Sequence, residues 1–458
     1  MALSPCLYWL LAISGWLSVL FVVIMTWPYL LGVRCLTNRW PLTAEKALGA
    51  FFCCRYWRLL VNFWSYYRQY KPSPIPDSPS YTAAEHVTVV VPTVEPGDPT
   101  FGRCLDSICA NGPARIFVVT VGAALHQMTE EALAPVRHTH PFVAVEVHHT
   151  ATANKRLQID SVIDKVRTPI TFLVDSTAIL PPSGHFFRWG LAPFEDPDVA
   201  LVGTRKRVER TSHSTWWAQF WNFLGAIYLE RHNFEVAAVN ALDGGAFIIS
   251  GRTCGVRTAI LMDDEFRRGY VDEYIRFPFD LLLPIGPIVA DDDNYILRFC
   301  VEKGHGVKFQ SDVGTTRVAA SSVTPSSPSN CIVGIAKLGE FPRFLQQCLR
   351  WTRTTFRSNP RSLLSARAWW RHPWSIRCGG RTGWDSGGLV CLVTWILLTK
   401  LIKLTSWFWD YPGDIVFFPF YVVFVYVHSG IKLYAMFTFW NLEWAGRDLE
   451  KINKMALE

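Results

Sequence analysis

Three groups of residues in this chain have the types and spacing to do chemistry. Gln347, Arg350 and Trp351 fall within one helical turn, on neighbouring faces. They offer an amide donor, a planar fork for phosphate oxygens and a stacking platform, which are groups suited to a diphosphate and to the end of a sugar chain. Asp291-Asp292-Asp293-Asn294 gathers carboxylates that repel one another, so a proton or a cation must be shared among them, and one acid in such a setting suits the work of a general base. Asp175 ends the apolar run Ile170 to Val174 and opens Asp175-Ser176-Thr177, the position where a carboxylate meets ribose and a divalent metal in a nucleotide-binding α/β sheet. Each group also has a plain structural reading: an amphipathic helix, an acid-rich helix N-terminus, and an Asp that caps a turn.

Two further segments belong with these. Asp243-Gly244-Gly245 leads into Ala246 to Ile249, read as a strand, and then into the turn Ser250-Gly251-Arg252, where small residues let a ligand approach the backbone. Lys155-Arg156 supplies a basic pair for a diphosphate, although adjacent cations commonly face solvent.

The elements that must position these groups alternate. Strands are expected at His86 to Pro92, Ala114 to Val121, Phe142 to His148, Pro169 to Val174 and Val199 to Gly203. Helical patterns at Phe101 to Ala110, Thr129 to Ala134 and Ala153 to Val166 separate the earlier ones, and another runs from Tyr295 to Glu302. That order implies an α/β sheet of Rossmann-like type with ligands outside the carboxyl ends of its strands.

Around this core the composition changes. Met1 to Val33 carries no charged side chain, and Tyr8 to Leu31 is long enough for a transmembrane helix. Gly387 to Trp409 and Ile415 to Trp440 are two more candidate spans, joined by Asp410-Tyr411-Pro412-Gly413-Asp414 as a tight turn; Lys400, Lys403 and Lys432 argue for snorkelling or an interfacial course. Gly49 to Tyr70 interleaves aromatics with arginines as an interfacial amphipathic helix, and Lys71 to Pro76 follows as a stiff spacer. Basic residues flank the middle region on both sides, from Arg34 to Arg58 and from Arg361 to Arg381, which places it on the cytoplasmic face. The net charge of +7 is accounted for by anionic lipid and phosphate-bearing substrate, with no nucleic acid partner. Twelve scattered cysteines without a CxxC indicate neither a zinc site nor a disulfide framework. The expected division is an N-terminal span at 1–33, an interfacial helix and linker at 34–80, a catalytic domain at 81–335, an interfacial segment at 336–386 and a C-terminal hairpin with its tail at 387–458.

In this order the residues resemble the membrane-embedded family 2 glycosyltransferases, the group of hyaluronan, cellulose and chitin synthases, and within them the fungal capsular-polysaccharide-synthase-like branch. The matching pieces are Val89 to Thr93, Asn154-Lys155-Arg156, Leu173-Val174-Asp175, Asp243-Gly244-Gly245, Ile249 to Thr253, Asp292-Asp293-Asn294 and Gln347 to Trp351. The resemblance implies a cytosolic GT-A domain with about three transmembrane helices. It further implies a UDP-sugar donor, a polysaccharide acceptor, Mg²⁺ or Mn²⁺, and inversion at the anomeric carbon. Carried over, Thr93 lines the uridine pocket, Lys155 and Arg156 contact nucleotide, and Asp175 sits at the nucleotide–metal junction. Asp293, with Asp292 second, is the base. Ser250, Gly251, Arg252, Gln347 and Arg350 hold the acceptor and diphosphate, and Trp351 stacks on the acceptor sugar at a membrane channel that a second copy or lipid completes. Two departures stand out. Thr177 replaces the second acid of the usual Asp-x-Asp, which leaves the metal to Asp175, phosphate, water and His305. Val118 to Val121 ends without the acid that reads uracil. Transfer of one sugar to a lipid phosphate, or a degenerate synthase acting as a partner protein, are the alternatives.

Overall fold

Period-2 alternation within otherwise continuous apolar runs builds the core. In the computed structural model, which describes residues 56–181, 184–209, 216–274, 287, 292–311, 316–318, 386–425 and 452–453, the first run forms β1 (Val87–Pro92), buried along its whole length. Val87, Val89 and Val91 face one apolar cluster with Phe101, Leu105, Phe172 and Phe186. Val90 faces the other, with Phe117, Leu173, Ile260 and Phe266. A strand buried on both faces reads as a near-continuous apolar run, and each such side chain contributes about 1.5–3 kcal/mol of burial.

Beside β1 lie β2 (Arg115–Val121), β3 (Ala144–Thr150) and β4 (Ile170–Val174), all parallel. Past the short β5 (Ala178–Ile179), the chain adds β6 (Val199–Thr204), β7 (Lys206–Val208), β8 (Thr253–Arg257), β9 (Gly306–Gln310) and β10 (Thr316–Val318). The larger sheet has the order β3-β2-β1-β4-β8-β6-β9, and β5-β10-β7 form a smaller one. Only β8 runs against its neighbours in the larger sheet, pairing antiparallel with β4 and β6. This is the α/β, GT-A-like arrangement, with a mixed rather than wholly parallel sheet.

The reversed strand has a direct consequence. Thr253, the first residue of β8, lies opposite Val174, the last of β4. Whatever precedes Thr253 is therefore delivered to the carboxyl edge of the sheet, beside Asp175. Ala246 to Ile249, expected as a strand, instead runs irregularly into this edge. The ladder begins only after the Ser250–Arg252 turn, closed by Thr253 N–H donating to Ser250 O at 3.4 Å. Ile249 is spent on packing, and a methyl added at Gly203 would stand 2.5 Å from its Cδ1.

The chain separates into two compact units, Met1–Phe63 with Pro360–Ile402, and Trp64–Asn359 with Lys403–Glu458. In the first, the helix Ser386–Leu401 is 16 residues long, and Trp395 meets the Tyr56 ring edge-on at 4.9 Å. Among the described residues no helix is long and apolar enough to cross a membrane. The candidate span Tyr8 to Leu31 lies outside them, as does the later part of Ile415 to Trp440. The candidate Gly387 to Trp409 is not one continuous α-helix: a 3-10 turn, Ile402–Leu404, interrupts it.

In the second unit the polar segment expected as a turn between two spans makes side-chain contacts with the rest of the unit. The 28-residue helix Trp216–Asp243 carries Glu230, buried and ion-paired to Arg205 and Arg207. Arg207 also pairs with Asp410, Ser406 Oγ donates to Glu230, and Lys403 pairs with Glu235 on the same helix. Trp407, fully buried, donates its Nε1–H to Asp414 at 3.0 Å. Residues of the Pro-rich segment are tied down as well: Ser73 N–H donates to Gln310 Oε1 at 2.9 Å, and Gln310 Nε2 returns a hydrogen bond to Ser73 O at 2.8 Å.

Burial opposes ionisation of Glu230, but the Arg205 and Arg207 guanidiniums outweigh it and hold the carboxyl below its usual range. Glu230→Gln removes the carboxylate that pairs with Arg205 and leaves Arg207 with Asp410 alone, and it is expected to destabilise the protein by about 3 kcal/mol, since a buried ion pair that loses one partner leaves an uncompensated charge. Thermal unfolding followed by circular dichroism tests this; an unchanged midpoint would show that Glu230 does not secure the C-terminal segment.

Candidate functional site

The backbone of three residues, Ser250, Gly251 and Arg252, ties the site together. Gly251 N–H donates to Asp293 Oδ2 at 2.6 Å. Arg252 O accepts from the backbone N–H of Asp175 at 2.9 Å. Ser250 O accepts from the Lys206 ammonium at 2.9 Å, and Gly251 O lies 3.5 Å from the Lys155 ammonium. Each functional side chain comes to this turn from a different element. Asp175 follows β4; Asp292 and Asp293 open the helix Asp292–Glu302, suited to acids by its dipole. Lys155 opens the helix Lys155–Ile163, which Asn154 caps through its side-chain oxygen to the Arg156 and Leu157 amides.

Lys155 occupies the centre. Its ammonium lies 2.8 Å from Asp175 Oδ1 and 3.0 Å from Asp292 Oδ2. Burial alone would lower its pKa, but Asp175 and then Asp292 more than reverse that and hold it well above the ordinary lysine range. The ammonium thus marks a pocket in which two carboxylates share one cation. Asp293 is held differently: besides the Gly251 amide, the Asn294 N–H donates to its Oδ1 at 2.9 Å. Gly251 must be small here, because a Cβ at this position would lie 3.0 Å from Asp293 Cβ and 3.3 Å from both Asp293 Cγ and Asp292 Oδ2. The structure therefore brings Asp175, Lys155, Ser250, Gly251, Arg252, Asp292 and Asp293 together.

Arg156 has another role than the nucleotide contact expected of it. It is fully buried, donating to Tyr270 O at 2.9 Å and to Glu273 Oε2 at 3.0 Å, between the Tyr270 and Tyr295 rings. Glu273 also pairs with Arg298 at 2.6 Å. This buried cluster joins the helix that bears Lys155 to the helix that bears Asp292 and Asp293, so Arg156 positions the site from behind. Thr93, expected to line the uridine pocket, follows β1 directly; its hydroxyl is buried and accepts from Glu95 N–H at 3.3 Å. Beyond it an open cleft of about 430 Å³ is lined by Val94, Pro96, Gly97, Leu125 and Met128.

His305 does not reach the site. It is exposed in the turn before β9, and the next residue, Gly306, pairs with Val199 at the start of β6. That is the edge of the sheet opposite Asp175, so the histidine cannot share a metal with it. Among the described residues no three His, Cys, Asp or Glu side chains form a metal-binding group. Gln347, Arg350, Trp351 and Asp291 lie outside the described residues.

One residue escaped the sequence reading altogether. Lys206 is 3 % exposed, with its ammonium at the turn. The signal was present: Thr204, Lys206 and Val208 are in phase and all buried, whereas Arg205 and Arg207 between them are partly exposed. A lysine on the buried phase of a strand demands an explanation.

Comparison with known proteins bears directly on this site. The family model described as "Glycosyltransferase like family 2" matches residues 84–354. A "Type 2 glycosyltransferase" of Gibberella zeae is 33% identical over 428 residues, 87% of this chain and 75% of that protein. Another, from Pyricularia oryzae, is 32% identical over 433 residues, 88% of this chain and 82% of that protein. An "NDP-glycosyltransferase ltbB" of Aspergillus luteorubrus is 27% identical over 64% of this chain and 65% of its own length. Among solved structures, a mannosyltransferase from Pyrobaculum calidifontis in complex with GDP-Man and Mn²⁺ aligns over 85% of this chain and 97% of its own, with a TM-score of 0.48 and 16% identity.

Gly251→Ala tests the contact geometry. The added methyl presses Asp293 aside by a few tenths of an ångström; since a misplacement of about 1 Å can lower turnover about 100-fold, a loss of about tenfold is expected, whereas overpacking of this size costs about 1–3 kcal/mol of stability. Steady-state transfer rates and the thermal midpoint of the variant separate the two effects; wild-type turnover would show that the approach of Gly251 to Asp293 is not needed.

Proposed function

Because the chain belongs to glycosyltransferase family 2, we propose that it transfers a hexosyl group from a UDP-sugar to a growing polysaccharide, at a cytoplasmic site on a membrane and with inversion at the anomeric carbon. The single observation that carries the reading is the convergence of Asp175, Asp292 and Asp293 on the Ser250–Arg252 turn, at the edge where a sheet of this kind binds its ligands. The nucleoside diphosphate named for the Aspergillus relative supports the donor class. The apolar run Tyr8 to Leu31 and the basic residues that flank the catalytic region support the membrane setting. Gln347, Arg350 and Trp351 support an elongating acceptor by their residue types.

In this reading Asp293 accepts the proton of the acceptor hydroxyl. The acceptor oxygen attacks the anomeric carbon, the bond from that carbon to the diphosphate breaks, and its electron pair leaves with UDP. The backbone amides of Gly251 and Asn294 hold Asp293 and aim its carboxylate. Asp292 is engaged in an ion pair with Lys155, which leaves the proton transfer to Asp293.

A divalent cation fits beside these residues. Asp175 and Asp292 already share the Lys155 ammonium, so their oxygens converge at a spacing that a cation can bridge. Mg²⁺ or Mn²⁺ held by Asp175 and Asp292, with donor phosphates and water completing its shell, would neutralise charge on the leaving diphosphate. With Thr177 in place of the second acid, and His305 elsewhere, its affinity rests on the phosphates.

Release of UDP from membranes that contain the protein, measured for UDP-GlcNAc, UDP-GlcA and UDP-Glc, tests the proposal. Asp293→Asn is expected to lower the rate about 1,000-fold, within the range for loss of a general base, and Asp292→Asn by a smaller factor. Sizing the product decides the acceptor: a polymer is expected, and one sugar on a lipid would overturn that part of the reading.

A further inference from the structure

Two cations at the turn have no carboxylate partner among the described residues. Lys206 is buried, and its ammonium makes one hydrogen bond, to Ser250 O, although it has three donors to offer. Arg252 is half-buried, and its Nη1 is wholly buried without a hydrogen-bond partner among the described residues. Neither side chain forms an ion pair with a described carboxylate, in contrast to Lys155, which has two. A buried cation is ordinarily paired, and two neighbouring ones left unpaired are a combination that a fold retains at the expense of its own stability.

The charges around Lys206 are accounted for on every side. Burial pushes its ammonium down to about 8; Cys254, on β8, and Asp293 and Asp175 oppose this, while Arg252 adds to it. Burial likewise lowers Arg252 from its usual range, against Asp175 and Tyr228. Protonated Lys206 and Arg252 present unused N–H donors beside the Ser250–Arg252 turn, one residue from the amide that orients Asp293 and bonded through Arg252 O to Asp175 N–H.

We propose that Lys206 and Arg252 form an oxyanion cradle for the diphosphate of the sugar donor, receiving it as it becomes the leaving group. The proposal rests on the donor class stated above and on the diphosphate role that the resemblance implies for Arg252; it adds Lys206, which the sequence reading did not single out, and the pairing of the two cations. When the acceptor oxygen bonds to the anomeric carbon and the bond to the diphosphate breaks, the electron pair settles on a terminal phosphate oxygen. Donors already in place around that oxygen need no reorganisation at that moment. Arg252 contributes a fork that can engage two oxygens, and Lys206 a point charge. Lys155 is committed to Asp175 and Asp292, so the paired and unpaired cations divide the work.

Calorimetric titration of the purified protein in detergent and Mg²⁺, with UDP, UMP, UDP-glucose and UDP-glucuronic acid as probes, tests the cradle. Wild-type protein is expected to bind UDP at least about tenfold more tightly than UMP, a preference of the size that charge-assisted hydrogen bonds supply. Lys206→Met and Arg252→Met should each erase most of that preference by weakening UDP binding alone, and Lys206→Arg should retain it. The affinity of the wild type for UDP should fall as pH rises above about 8, and that fall should vanish in Lys206→Met. Its thermal midpoint should equal or exceed that of the wild type, which a merely structural lysine would not allow. An unchanged UDP-to-UMP preference in both methionine variants would overturn the cradle while leaving the donor reading intact. Loss of affinity confined to UDP-glucuronic acid would assign the cations to a sugar carboxylate instead and also overturn it. Wild-type protein that binds neither UDP nor any UDP-sugar would overturn both.

Discussion

Four charged groups of the candidate site, Asp175, Asp293, Lys155 and Lys206, meet the backbone of the Ser250–Arg252 turn. One amide orients Asp293, one carbonyl receives Asp175 N–H, and two more carbonyls lie against the ammonium groups of Lys206 and Lys155. Backbone groups have fixed geometry and cannot change rotamer, so a site tied to them is preorganised in a way that a web of long side chains is not. Three carboxylates, Asp175, Asp292 and Asp293, face three cations, Lys155, Lys206 and Arg252, across this turn. In a partly dry environment such an arrangement is sensitive to any displacement, because Coulomb energies grow as water is excluded.

The fold explains how the turn comes to be there. A wholly parallel sheet would deliver only strand ends and helix starts to the carboxyl edge. The reversal of β8 delivers a strand start, and with it a turn that faces Asp175. Behind the site, the buried Arg156–Glu273–Arg298 cluster locks together the two helices whose N-termini carry Lys155 and the acids. A one-sided loss in such a cluster is expected to loosen both helices at once. Gly251 completes the arrangement by lacking the atom that would push Asp293 away.

Much of this was legible in the sequence. The apolar runs that became β1, β2, β4 and β6 read correctly to within a residue, because strands buried on both faces leave an unmistakable pattern. The acids at 175, 292 and 293 and the Ser250–Arg252 turn were legible as well, from their residue types and from the ends of the elements that carry them. Other features were not. Lys155 and Arg156 are adjacent in sequence, yet one enters the site and the other the core behind it, a difference that follows from helical rotation and from Glu273 more than 100 positions away. His305 lies only three residues beyond the helix that bears the acids, but that helix carries the chain to the far edge of the sheet. Trp407, at the end of the candidate span Gly387 to Trp409, is fully buried and bonded to Asp414, a setting that composition alone does not reveal.

Amide hydrogen exchange over residues 246–255, compared between the wild-type protein and Asp293→Ala, tests most directly whether the turn and the acid hold each other. The hydrogen bond from Gly251 to Asp293 is short and buried, and its loss is expected to speed exchange at Gly251 about tenfold, the equivalent of about 1.4 kcal/mol of local stability. Equal exchange in the two proteins would contradict the account, since Asp293 would then be a passenger at the turn rather than one of the groups that fix it.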